Sequence, residues 1–211
     1  MVRLYAVDAA ALSGRFDALL CLLDGERRAR AASCGNTPAG RRSLAAGLLL
    51  SHVLGAEIAR GKLERGAHGK PAYRGCPPFN LSHAGEYAVL AVTDGAPVGV
   101  DIERCRAVDC YRLAERFFHA DETAFLRAAD DPYAAFFTLW TLKESYLKAE
   151  GVGFAAPPAM ICILPSGENE AHILGESAYR YRRYDGAFDG YRMAVCSPDA
   201  DFPAHITRCT F

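Results

Sequence analysis

The sequence contains no run near the roughly 18 uninterrupted apolar residues of a membrane span, and its opening MVRLYAVDAA lacks the apolar stretch of a secretory leader. Both absences predict a cytoplasmic protein with no membrane partner. Neither charge is in surplus: Lys and Arg number 24 against 25 Asp and Glu, a net charge of -1. That balance argues against a surface built for nucleic acid. The eight cysteines include no C-x-x-C pair, and no histidines stand at zinc-ligand spacing, so they read as small buried hydrophobes in a reducing compartment. Nothing repeats at the residue level. What is present is a hydrophobic fraction of 51% over 211 residues, enough for a substantial core.

Periodicity and turn chemistry divide the chain into mixed helices and strands. Residues 1–8 alternate as a strand, a helical stretch is expected over residues 12–30, and residues 34–40 read as a loop. Thr37-Pro38 then supplies an N-cap and a first-turn proline for a helix over residues 39–59. Residues 61–69 form a turn-rich link, residues 70–73 are short and extended, and residues 87–92 read as a strand. Helices are expected over residues 109–118, from Asp121 onward, and over residues 133–150. Strands follow near Ile161 and over residues 178–184 and 191–196. Helices and mainly antiparallel strands in both halves give an α+β class.

Two segments carry candidate chemistry. In PVGVDIERC (97–105), Val98, Val100 and Ile102 alternate with Gly99, Asp101 and Glu103, so on a strand the two carboxylates leave one face about 7 Å apart. A solvated strand face and a metal site are both compatible with that pattern. In FFTLWTLKESYLKAEG (136–151), Phe136, Leu139, Trp140, Leu142, Tyr146 and Leu147 form one apolar arc with Glu144 and Lys148 at its rim. Those two could be a plain surface ion pair. Lys143 falls near the centre of the arc, where an ammonium needs a carboxylate cluster or a bound phosphate.

Together, GVDIE (99–103) and WTLKESYLK (140–148) resemble the two signature motifs of the 4′-phosphopantetheinyl transferase superfamily, G-[IV]-D-[IV]-E and W-x-x-K-E-[SA]-x-x-K. GKP (69–71), FNLSHAGEYAVLAV (79–92) and RRSLAAGLLL (41–50) are similar to further regions of that family, and FDGYRMAVCS (188–197) with DFPAHIT (201–207) resembles its longer, surfactin-type branch. The loop SCGNTPAG (33–40) departs from the more polar and aromatic stretch of the family, and Ser51 stands where some relatives carry a basic residue.

The resemblance implies a pseudo-twofold α+β fold of two similar halves, with coenzyme A in the cleft between them. The corresponding division is residues 1–97 for the nucleotide and 3′-phosphate side and residues 98–211 for the metal and catalytic side. It further implies magnesium-dependent transfer of the phosphopantetheine arm of coenzyme A to a serine of an acyl or peptidyl carrier protein, releasing 3′,5′-ADP. Asp101, Glu103 and Glu144 are then the magnesium ligands. Lys148 reaches a phosphate oxygen, and Lys143 either braces the carboxylates or touches a phosphate. Glu144 through a water, or Glu122, is the candidate base. Arg27, Arg30, Arg42, Lys70, Ser82 and His83 are the candidate contacts to coenzyme A. Gly99 would let ligand or metal approach the backbone. Residues 104–120 are the expected carrier docking surface, and a chain that already holds two halves is expected to act as a monomer.

Two other classes compete. A metal-dependent phosphodiesterase or nuclease also uses D-x-E with lysines, and a non-catalytic coenzyme A-binding module could keep the fold. YRYRRY (179–184) interleaves aromatic and basic residues in the manner of a nucleic-acid platform, yet its alternation is that of an exposed hairpin.

Overall fold

The computed structural model describes residues 1–60, 63–66, 69–153, 157–175 and 177–211. Positions 61, 62, 67 and 68 of the expected link at 61–69 lie outside the described residues. The first half runs β1 (Val2–Asp8), a 3-10 segment (Ala10–Arg15), α1 (Phe16–Leu20), α2 (Gly25–Ser33), α3 (Pro38–Arg60), β2 (Leu63–Arg65), β3 (Pro71–Tyr73), β4 (Phe79–Ala84) and β5 (Tyr87–Thr93). The second runs β6 (Gly99–Arg104), α4 (Cys110–Phe117), α5 (Ala120–Arg127), α6 (Pro132–Glu150), a 3-10 turn (Pro158–Met160), β7 (Ile163–Ser166), β8 (Glu170–Ile173), β9 (Arg180–Arg183), β10 (Tyr191–Ser197) and β11 (Thr207–Arg208).

One sheet has the order β11-β1-β5-β4 and the other β6-β10-β9-β8-β7; β2 and β3 form a separate pair. All ladders are antiparallel except β11 beside β1, with Tyr5 opposite Thr207. Alternation along the strands explains the layering. Val7, Leu90 and Val92 face α3 and pack with its Leu44, Leu48 and Leu49. Val2, Leu4, Ala6, Val89 and Ala91 face the second sheet and meet Val98, Val100, Ile102, Met193 and Val195. On the outer side of the second sheet, Ala194 and Cys196 pack with Leu142 and Ala149 of α6. The result is helix, sheet, sheet, helix, with each sheet backed by one long helix, as the pseudo-twofold α+β fold requires.

The helical stretch expected over residues 12–30 is in fact broken into three pieces. Asp24 is extended and caps α2, its carboxylate accepting the Arg27 amide N–H at 3.0 Å. Cap chemistry at Asp24-Gly25 outweighs the helical periodicity on either side. Thr37 caps the next helix, its hydroxyl accepting the Gly40 amide at 3.2 Å, so α3 starts at Pro38, at the cap the sequence predicts.

Gly99 has a different role from the expected one. A Cβ at Gly99 would overlap the Ser145 carbonyl oxygen and come within 2.5 Å of the Ala149 nitrogen. It is the backbone of α6, rather than a ligand, that approaches the strand here. The C-terminus of α6 is then pinned from a second side by Lys70, whose ammonium donates to Val98 O and Ala149 O at 3.1 Å each.

Lys143 and Glu122 are also displaced from their expected roles. Lys143 Nζ is 2.8 Å from Glu122 Oε2, and both side chains are buried. The ammonium gives its other protons to Pro158 O at 2.8 Å and Ile161 O at 2.5 Å. Glu122 is equally occupied: it accepts the His119 amide at 2.7 Å in a capping box and the Ile163 amide at 2.8 Å. A carboxylate does satisfy the lysine in the apolar arc, but the pair clamps α5, α6 and β7 together instead of touching phosphate.

Two outcomes follow. Gly99→Ala forces α6 off β6 and should lower unfolding stability by about 3 kcal/mol in denaturant titration, the scale of an overpacked core. Lys143→Met strands a buried carboxylate and should cost about 3 to 5 kcal/mol, while Lys143→Met with Glu122→Leu recovers most of it. A Lys143→Met protein of normal stability would remove the clamp from the account.

Candidate active site

A cleft of about 750 Å³ opens between the two halves, walled by α2, α3, β4, β6 and α6. It gathers Arg27, Arg30, Arg42, Ser82, His83, Asp101, Glu103, Glu144 and Lys148 of the sequence-predicted set. Lys70, Glu122 and Lys143 do not line it.

The acidic end is built from β6 and α6. The helix backbone approaches the strand closely at Gly99, and the next two residues on that face, Asp101 and Glu103, line the cleft together with Glu144 and Lys148. Lys148 Nζ donates to Asp101 Oδ1 at 2.5 Å, to Ser82 Oγ at 3.1 Å and to Val100 O at 3.3 Å. Ser82 in turn donates to Asp101 Oδ1 at 2.8 Å. Asp101 is 3% exposed, and its Oδ2 is buried without a hydrogen-bond partner among the described residues. A buried carboxylate oxygen left bare is costly unless a cation completes it.

Three carboxylates here face a single ammonium. Burial, reinforced by Asp101 and Glu144, pushes the Glu103 carboxyl up to about 7. Burial and then Asp101 also raise Glu144, with Lys148 opposing. The donor set is all oxygen, which suits magnesium. Among the described residues, the trio whose ligand atoms all fall within 4.8 Å is a different one, His119, Asp121 and Cys162. There the imidazole caps α5 by accepting the Asp121 amide at 3.2 Å. The cleft acids stand wider apart, which fits an ion that keeps water and phosphate oxygens in its shell rather than a closed protein cage.

The other end of the cleft carries Arg27, Arg30 and Arg42, which outnumber Asp24 and Glu26 on the same wall. Arg27 is held by the Asp24 carboxylate and the Tyr73 hydroxyl, with its guanidinium 5.4 Å from the Tyr73 ring centre. Arg42 donates to Gly85 O at 3.1 Å. Surrounding protein, with Arg42, Lys148 and Arg30 nearby, holds the His83 imidazole below its usual range, although the residue remains exposed at the cleft wall. Lys70 instead runs beside a neighbouring groove of about 460 Å³ lined by Pro71, Tyr73 and Phe79.

The sequence reading missed Asn80 and Tyr73. Asn80 Oδ1 accepts the Val100 amide at 2.9 Å, and Ser82 Oγ accepts the Ile102 amide at 3.4 Å. These side chains replace a backbone ladder between β4 and β6 and so join the two sheets at the site. Their alternation in FNLSHA was the available signal: Asn80 and Ser82 share one strand face and are both buried. Tyr73 carried no such signal, because its contact with Arg27 spans 46 positions.

A family model described as the 4′-phosphopantetheinyl transferase superfamily matches residues 97–196. The chain is 35% identical over 181 residues to 4′-phosphopantetheinyl transferase psf-1 of Bacillus pumilus, covering 81% of this chain and 76% of the relative. It is 32% identical over 150 residues to 4′-phosphopantetheinyl transferase Sfp of Bacillus subtilis, covering 68% and 66%. It is also 28% identical over 205 residues to 4′-phosphopantetheinyl transferase ffp of Bacillus subtilis, covering 92% and 91%. With the orphaned Asp101 oxygen, the converging acids and the basic far wall all lying in its central cleft, the chain belongs to the 4′-phosphopantetheinyl transferase superfamily.

Proposed function

We propose that the central cleft binds coenzyme A and transfers its phosphopantetheine arm to a serine of an acyl or peptidyl carrier protein, with magnesium held by Asp101, Glu103 and Glu144. The observation that carries this reading is the buried, unpartnered Asp101 Oδ2 beside Lys148, at the acidic end of a cleft whose other end is basic. When bound, the ion would neutralise the charge on the diphosphate oxygens.

The chain's own residues account for the rest. Arg30 and Arg42, with Arg27 oriented by Asp24 and Tyr73, face the 3′-phosphate end of the donor. His83, kept neutral among these cations, donates a hydrogen bond without adding charge. Ser82 orients Asp101 and Lys148 rather than the nucleotide. The carrier serine Oγ bonds to the phosphorus bearing the pantetheine, the P–O bond to the second phosphate breaks, and 3′,5′-ADP departs with the electron pair. Glu144, acting through a water, is the candidate that takes the serine proton. Lys148 steadies the charge that grows on the departing phosphate. Glu122 has no part in this reading, since it is buried away from the cleft and both its oxygens are engaged inside the fold.

The segment before α5 suits the docking role. Trp140 lines the cleft and meets Phe117 of α4 edge-on at 5.5 Å, so α4 borders the cleft mouth and presents an exposed Tyr111. A single chain builds both cleft walls, in keeping with action as a monomer.

Incubation with coenzyme A, magnesium and an apo-carrier should raise the carrier's mass by one phosphopantetheine group. Cleavage of phosphodiesters without that gain would point to the nuclease class, and coenzyme A binding without transfer to the inactive module. Asp101→Ala should abolish transfer while the fold is retained, and a near-normal rate at limiting magnesium would remove it from the metal set. Lys148→Ala should lower kcat by about 100-fold with a smaller change in coenzyme A affinity; the reverse split would make it a binding residue.

Proton linkage gives a further test. Without magnesium, the folded chain holds a proton on Glu103 up to about 7, whereas the ordinary value is 4.5. Between those values the folded state binds more protons than the unfolded one, so this group's contribution to stability falls as pH rises through that window. Magnesium should therefore raise the melting temperature more at about pH 8 than at about pH 5, and Glu103→Gln should remove most of the difference. Equal magnesium effects at both values would remove Glu103 from the ligand set.

A further inference from the structure

The run YRYRRY (179–184) takes no part in the central cleft. It is not the fully exposed hairpin its alternation suggests: Tyr181 and Tyr184 are buried. The Tyr184 hydroxyl donates to Pro203 O at 2.8 Å, which ties the end of β9 to the segment leading into β11. Between these two pieces lies a second cleft of about 350 Å³, walled by Asn169, Arg182, Arg183, Asp185, His205 and Arg208 among others. No residue lines both clefts.

The charges in this second cleft do not balance. Asp185 is the only acid on its wall, and it is already engaged: Arg183 donates to Oδ2 at 2.9 Å, and Arg192 lies 3.9 Å from Oδ1. Arg183 gives further protons to Gly167 O and Glu168 O at 3.2 and 2.5 Å. Arg182 and Arg208 have no carboxylate partner among the described residues. Arg182 Nε is buried without an acceptor, and its guanidinium stands 5.7 Å from the Tyr184 ring. Arg208 lies 3.8 Å over Phe188 and 5.6 Å from Tyr87, with one N–H on Ala187 O at 2.5 Å.

A guanidinium cannot shed its charge, and a buried N–H without an acceptor carries an uncompensated desolvation cost. Arg182 carries such a buried N–H, Arg208 is exposed beside it on the same wall, and each guanidinium lies against an aromatic ring, so the two offer donor forks to one cleft. Forks of this kind match an anion that offers several oxygens in a compact tetrahedron, and a phosphate does so better than a carboxylate. The cavity lies at the small end of the range for ligand pockets, which suits a modest molecule. We propose that the cleft between β9 and the segment before β11 binds the phosphate group of a small phosphomonoester through Arg182 and Arg208.

The test is residue-resolved. Inorganic phosphate is titrated into the full chain at constant ionic strength, with coenzyme A present to occupy the central cleft, and backbone amide shifts are followed by NMR. Amides around Asn169, Arg182 and Arg208 should shift saturably with phosphate and stay still with chloride. Arg182→Gln should weaken that binding by about tenfold, the scale of losing a charge-assisted hydrogen bond, and leave coenzyme A affinity unchanged. Arg182→Lys should fall between the two, because it keeps the charge and loses the fork. No saturable shift at these amides, or unchanged phosphate affinity in Arg182→Gln, overturns the proposal. Failure of coenzyme A to move amides near Arg42 and Lys148 would instead tell against the transferase reading, and the second cleft would still be read by its own amides.

Discussion

Helix α6 meets strand β6 backbone to backbone at Gly99, and the arrangement of the central cleft descends from that contact. A side chain there would hold the helix away from the strand. The next two residues on the same strand face, Asp101 and Glu103, line the central cleft, and Glu144 and Lys148 of the helix line it with them. Lys70 holds the arrangement from outside by bonding Val98 and Ala149 at once. The glycine and the two acids of GVDIE thus share one strand face: the absence of a side chain at the first position lets the helix approach, and the two charged ones further on line the cleft.

The second constraint is the seam between the sheets. β4 and β6 run side by side without a shared ladder, and the amides of Val100 and Ile102 are satisfied by Asn80 and Ser82 side chains. Ser82 then donates its hydroxyl hydrogen bond to Asp101. One residue of the first half thus links the backbone and the acid of the second half, and any shift of one sheet against the other reaches the acid directly. The cleft across this seam has Asp101, Glu103 and Glu144 at the α6 end, and Arg27, Arg30, Arg42 and His83, with Asp24 and Glu26, at the α2 and α3 end.

Much of this was readable from residue order. The alternation of GVDIE put the acids on one strand face, and the arc of α6 put Glu144 and Lys148 at its rim, both of which the structure bears out. Thr37-Pro38 marked the start of α3. Three lysines show where the reading stops. Lys70, Lys143 and Lys148 all looked able to meet phosphate, yet one bridges backbone carbonyls, one pairs with Glu122, and one faces the cleft. Which anion or carbonyl a lysine finds depends on elements far away in sequence, and local periodicity carries no record of them. The break at Asp24 was missed for the opposite reason: a single local cap overrode a longer helical pattern. β8 and β11 are short strands whose place in a sheet is set by their neighbours rather than by their own composition.

The strand β11 lies parallel to β1, with Tyr5 opposite Thr207 and the Cys209 amide bonded to Ala6 O at 2.8 Å. During synthesis the outer edge of β1 therefore waits for a partner about two hundred positions downstream, long after β5 has emerged to cover the other edge. Until then the nascent chain carries an open strand border able to join a neighbouring polypeptide. The sheet that β1 opens is thus closed on that side only once Thr207 and Arg208 have been made.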